Sequence, residues 1–140
     1  MKKLLFVFII LTTAASISQN ETTSTPKIII KIALGKTISI ESHQVTFLKI
    51  LEDSRCPKYT TCIWAGRAKV LVEISEKGKE SLQKQLIFGQ LKQGESKELT
   101  LFTSEEKKVV GITLRPYPSA EDSGTEKEYQ LLVSIEKNEK

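Results

Sequence analysis

Apolar positions recur at every second residue along most of this chain, in short runs parted by turn or charge clusters. Ile28, Ile30, Ile32 and Leu34 alternate until Gly35-Lys36 interrupts them, and Thr37 to Ile40 resumes the pattern. Val45 to Leu51 is rich in β-branched and aromatic residues. The cleanest alternation covers 67–75, where Ala68, Val70, Val72 and Ile74 oppose Arg67, Lys69, Glu73 and Ser75, with Leu71 out of phase. Leu86 and Phe88 follow, then Leu99 and Leu101, then Val110, Ile112 and Leu114, and last Tyr129, Leu131, Val133 and Ile135. A period of two is that of a strand with one buried and one wet face. Lys77-Gly78-Lys79, Gln93-Gly94-Glu95 and the segment 116–125 read as turns. The pattern predicts an all-β fold, a single antiparallel β-sandwich of immunoglobulin-like or barrel-like form with seven to eight strands. Residues 76–85 and 103–108 have room for a helical turn each but not for a helix.

The amino terminus departs from this pattern. Lys2 and Lys3 precede an unbroken apolar run, Leu4 to Leu11, and small residues follow at Ala14, Ala15, Ser16 and Ser18. That order reads as a secretory signal peptide over 1–18, cleaved after Ser18 or, alternatively, after Ala15. The run is well short of the ~20 residues that span a bilayer, so no membrane span is expected after cleavage. Residues 19–26 are polar, Thr-rich and end in Pro26, which suits a leader ahead of a β-sandwich domain at 27–140. No cysteine stands near the cleavage region. The expected destination is the periplasm or the extracellular space, and the product is not expected to be a lipoprotein.

Composition narrows the chemistry. With 140 residues, two cysteines and one histidine, His43, the chain has no material for Ser-His-Asp or Cys-His triads, multi-histidine metal sites or a four-thiolate zinc site. No metal or cofactor is expected. His43 reads as a surface or turn residue and Lys137 to Lys140 as a frayed end. The formal charge of +4 drops by two when Lys2 and Lys3 leave with the signal, and no basic cluster exceeds two residues. Phosphate recognition needs a concentrated positive face, so nucleic acid is not an expected partner. Paired carboxylates such as Glu52 with Asp53, or Glu121 with Asp122, are the only hydrolase-like arrangement, and adjacent acids on a strand point to opposite sides.

One segment stands apart. Residues 52–66, EDSRCPKYTTCIWAG, hold both cysteines and the only tryptophan. In an exported protein Cys56 and Cys62 should pair, closing a short loop worth roughly 2.4 kcal/mol of chain entropy. The C-x5-C spacing is not that of a redox dithiol. Pro57 fixes its own backbone and extends Cys56. Asp53 reads as an organiser of the loop through an Asx-type turn, and Gly66 as tight packing where the chain re-enters a strand. Arg55 either pairs with Asp53 or Glu52 or presents its guanidinium outward to an anionic ligand. Trp64 reads first as an anchor packed against the disulfide and inner strand residues. Its other reading is a contact residue beside Tyr59 and Arg55, types enriched in binding hot spots.

The residues Asp53, Ser54, Arg55, Cys56, Pro57, Cys62, Trp64, Ala65 and Gly66, with the flanking strands, resemble the signature of an uncharacterised family of small exported bacterial β-domain proteins, many of them lipoproteins. About 30 residues carry the likeness, and it implies a compartment and a fold but no activity. Together these readings point to a non-enzymatic exported domain, structural or partner-binding, with Arg55, Tyr59 and Trp64 as candidate binding residues. The partner expected is an envelope or extracellular protein. The alternative is an inhibitor of secreted peptidases, which requires the 52–66 loop and a neighbour such as 116–126 to lie at one end of the body.

Overall fold

The computed structural model describes residues 27–120 and 127–138. The predicted signal, the leader and most of the 119–124 tip therefore lie outside the described residues. Eight strands follow one another: β1 (Ile28–Ala33), β2 (Thr37–Ile40), β3 (His43–Asp53), β4 (Arg67–Glu76), β5 (Leu82–Gly89), β6 (Thr100–Thr103), β7 (Lys107–Arg115) and β8 (Gln130–Lys137). They form two four-stranded antiparallel sheets, ordered β1-β8-β7-β6 and β2-β3-β4-β5. This is an open sandwich with a disulfide-closed loop, not a closed barrel. The helical turns allowed at 76–85 and 103–108 do not form. Leu82 onward is already strand, and Ser104 closes a tight turn by accepting the N–H of Lys107 on its hydroxyl.

The core follows the alternation. Ala68, Val70, Val72 and Ile74 of β4 face Val45 and Phe47 of β3 and Leu86 and Phe88 of β5. The other sheet contributes Ile32, Leu101, Val109, Leu114, Leu131 and Val133. Two irregularities in β3, between Phe47 and Lys49 and between Ile50 and Glu52, restore the phase of an eleven-residue strand. In β7 the sequence phase of Val110, Ile112 and Leu114 is wrong at its first two positions. Val109 and Gly111 face inward, and a register shift between Gly111 and Thr113 flips the parity before Leu114 is buried. Gly111 lets the sheets approach closely, since a Cβ there would sit 2.8 Å from Leu86 Cδ1.

Bulges also decide where the acids of β3 point. Asp53 pairs in register with inward-facing Ala68, and Glu52 with outward-facing Lys69. At the opposite end of the sandwich, His43 opens β3 but is not a plain surface residue. Its ring stacks on Phe102 of the other sheet at 4.0 Å, with Glu76 3.4 Å from Nε2. Lys137 belongs to β8, and Asn138 donates to the carbonyls of Glu106 and Ser104, so the first two residues of the expected frayed end are bonded to the body, while 139–140 lie outside the described residues.

Candidate functional site

The chain leaves β3 at Asp53 and re-enters β4 at Arg67, and the loop between them is built on Arg55. Its side chain is 6% exposed. Nε and Nη2 donate to the two oxygens of Asp53 at 2.7 Å each, Nη1 to the carbonyl of Leu114 at 2.6 Å, and Nη2 to that of Pro116 at 3.0 Å. The guanidinium also lies 4.8 Å from the centre of the Tyr117 ring. A loop of the β2-β3-β4-β5 sheet is thereby fixed to the end of β7 in the other sheet. Of the two alternatives for Arg55 the structure takes the pairing with Asp53, and the guanidinium is not available as an outward binding group.

Asp53, for which the sequence implies an Asx-type turn, has further partners. Besides Arg55 it accepts the Tyr129 hydroxyl at 3.1 Å and the backbone N–H of Arg55, which is the Asx-type turn. Burial works against its ionisation, but the bonds and charge of Arg55 prevail and hold its carboxyl below the ordinary aspartate value. Glu52, on the opposite side, takes Nη2 of Arg67 at 2.6 Å, and this bond chiefly lowers its pKa to about 2. Glu95 accepts the N–H of Lys92 and pairs with Arg67 and Lys69, which brings it to about 2 as well. These bonds hold the segment after β5 against the outer face of its own sheet. Neither Glu52 nor Asp53 keeps a proton near neutrality.

Beyond this base the loop closes on itself. Cys56 and Cys62 form the expected disulfide, with Cα atoms 5.9 Å apart. The N–H of Cys56 donates to the carbonyl of Ala65, and that of Thr60 to Pro57 inside the ring. Gly66 has φ +70°, and a Cβ there would fall 1.8 Å from the Ser54 carbonyl oxygen, so the chain passes this point with room for glycine alone. The N–H of Lys58 donates to the carbonyl of Pro118 at 2.9 Å, and Lys58 bridges in parallel to Ser119. The 52–66 loop and the start of the 116–126 segment thus stand side by side.

Three large hydrophobic side chains in and just after the ring stand in solvent. Tyr59 is 102% exposed, Ile63 95% and Trp64 72%. The expectation that Trp64 anchors the loop is therefore overturned. Arg55 reaches the carbonyls of Leu114 and Pro116 across the sheets at this end, and Trp64 lies outside that contact. Tyr59 stands as a candidate contact residue, and its backbone is left-handed at φ 60°, rare for a bulky side chain. Ile63 escaped the sequence reading. Its signal is an aliphatic residue in a turn-rich stretch, outside any alternating run. Tyr117, Tyr129 and the carbonyls of β7 were also missed as partners of Arg55 and Asp53, because such pairings across the sheets leave no local mark.

Among the described residues no cluster of His, Cys, Asp and Glu could hold a metal ion, and no helix is long and apolar enough to cross a membrane. The disulfide is consistent with an oxidising, exported compartment. Searches against family models, curated proteins and solved structures found no match to this chain.

Proposed function

We propose that this chain is an exported, non-enzymatic binding domain, and that it engages an envelope or extracellular protein through the tip formed by Tyr59, Ile63 and Trp64. The observation that carries the reading is the exposure of three large apolar side chains on a loop that is rigid at its base. A covalent ring, a buried Arg55–Asp53 pair and the Gly66 re-entry leave the tip little conformational freedom to lose on docking, which lowers the cost of association. Aromatic anchors with few rotatable bonds are the side chains that dominate binding energy when they enter a partner's pocket. A convex tip fits a concave, apolar recess on the partner. The signal-like amino terminus and the resemblance to exported bacterial β-domain proteins support the compartment. Glu52 and Asp53, both held ionised by arginine, speak against a hydrolase built on that pair.

A second reading, inhibition of a secreted peptidase, is favoured by one observation: the bond from Lys58 to Pro118 sets two loops side by side as a wedge. Tyr59 is left-handed, so such a wedge would obstruct a cleft and not imitate an extended substrate. The test of both readings uses a photo-reactive group at position 63 of the secreted chain. The expected result is one dominant cross-linked product with an envelope or extracellular protein, lost in Trp64→Ala. Unchanged cross-linking by Trp64→Ala and Tyr59→Ala would refute the tip as the contact surface. Slowed turnover in a panel of secreted peptidases selects the inhibitor reading.

A further inference from the structure

We propose that the Cys56–Cys62 bond is a redox latch on the tip: an external dithiol opens it in the folded protein, and the loop then ceases to present Ile63 and Trp64 in one fixed arrangement. This rests on the tip reading above and adds its regulation.

The hydrogen bonds around the ring divide the loop in two. Its base stands without the disulfide. Arg55 is tied to Asp53, Leu114 and Pro116, Ser54 donates its N–H to the carbonyl of Arg67, and Cys56 donates its own to Ala65. The N–H of Lys58 reaches Pro118, and that of Thr60 reaches Pro57. Past Thr60 the pattern stops. Among the described residues no hydrogen bond or ion pair involves Thr61, Cys62, Ile63 or Trp64, and the two large side chains stand in solvent. The covalent tie from Cys62 to Cys56 is therefore what fixes this stretch to the body. The sheets do not depend on that bond and the tip does, so opening it is a local event and not an unfolding one.

Access points the same way. Cys62 is exposed and Cys56 half-buried, and exposed disulfides are the ones that thiolates reach most readily. A thiolate of the dithiol attacks Sγ of Cys62, the sulfur on the open side, and the Cys56 sulfur leaves as a thiolate that takes up a proton. The second thiolate of the reagent then attacks the reagent's own sulfur in the mixed disulfide and releases Cys62. Two electrons pass to the protein, the dithiol becomes a disulfide, and the two protons it gives up end on the cysteines. The pair is a substrate of this exchange and not its catalyst, in keeping with the C-x5-C spacing.

The opened loop binds less well for an entropic reason. Backbone freedom returned to residues 61–64 must be given up again on docking, which lowers affinity at least about tenfold.

The test treats the secreted chain with dithiothreitol in native buffer, traps free thiols by alkylation for mass spectrometry, and follows far-ultraviolet circular dichroism and Trp64 fluorescence together. The expected result is two thiols on each chain, an unchanged sheet signal and altered fluorescence, at a rate that stays level as urea is raised toward the unfolding transition. A rate that climbs steeply with urea, or loss of the sheet signal on reduction, would overturn the proposal. Once the reagent has been removed under nitrogen, the photo-reactive group at position 63 should give about a tenth of the oxidised chain's cross-linked product, with recovery on reoxidation. The double variant Cys56→Ser, Cys62→Ser should give the same low yield with or without the reagent. Equal product from reduced and oxidised chains overturns this inference and leaves the tip reading standing. No product from the oxidised chain overturns both.

Discussion

Truncating Asp53 to alanine should be among the most damaging single changes at the loop end of this protein. The substitution removes both 2.7 Å bonds from Arg55 and the acceptor of the Tyr129 hydroxyl, yet leaves the guanidinium, on a side chain 6% exposed, with only the carbonyls of Leu114 and Pro116 as partners. Removing one member of a buried ion pair costs roughly 3–5 kcal/mol, because an uncompensated charge stays behind. This pair lies at an end of the sandwich, where water can replace part of the lost solvation, so the lower figure of about 3 kcal/mol applies. Against a typical domain stability of roughly 5–15 kcal/mol, the variant should fold but melt far earlier. Urea unfolding followed by far-ultraviolet circular dichroism measures the effect. Fluorescence of the exposed Trp64 should report the loop separately, and in Asp53→Ala it should change before the sheet signal does. A double variant, Asp53→Ala with Arg55→Met, should recover part of the loss, with a coupling of at least about 1 kcal/mol. A single-variant loss below ~0.5 kcal/mol, or strictly additive changes in the double variant, would refute the view that this pair holds the loop to β7.

Acid should weaken the fold through the same groups. Asp53, Glu52 and Glu95 have folded pKa values below their unfolded ones, the latter two at about 2, so their contribution is complete above about pH 5 and is lost as pH falls toward 2. Urea midpoints level from pH 5 to 8 and falling steadily below pH 4 are the expected record, and a midpoint that rises on acidification would contradict it. Gly66→Ala combines φ +70° with a Cβ 1.8 Å from the Ser54 oxygen, so it should cost more than ~2 kcal/mol in the same urea assay. Replacing Cys56 and Cys62 with serine should lower stability by no more than roughly 2.4 kcal/mol in thermal unfolding, with the sheets intact and Trp64 fluorescence altered.

Much of the architecture was legible because a half-buried strand writes its burial directly into the sequence. β4 is the plainest case: Ala68, Val70, Val72 and Ile74 are all buried, as their alternation requires. In β7 alternation misleads. A register shift at Gly111 changes which parity faces inward, and nothing in Val110 or Ile112 themselves announces it. At the loop, the disulfide, the organising role of Asp53 and the tight passage at Gly66 follow from local chemistry and were readable. The fate of Arg55 was not, since it depends on carbonyls that the end of β7 brings from some 60 residues further along, and neither was that of Trp64. The guanidinium of Arg55 finds the carbonyls of Leu114 and Pro116 at the end of β7, while Trp64 stays in solvent.

Arg55 lies in the loop that joins two strands of one sheet and holds carbonyls at the end of β7 in the other, which gives the protein a mechanical property. A load applied at Tyr59 or Trp64 does not peel β3 from β4 one rung at a time. It is passed through the guanidinium to β7 as well, so the ladders of both layers are strained in parallel and must resist together.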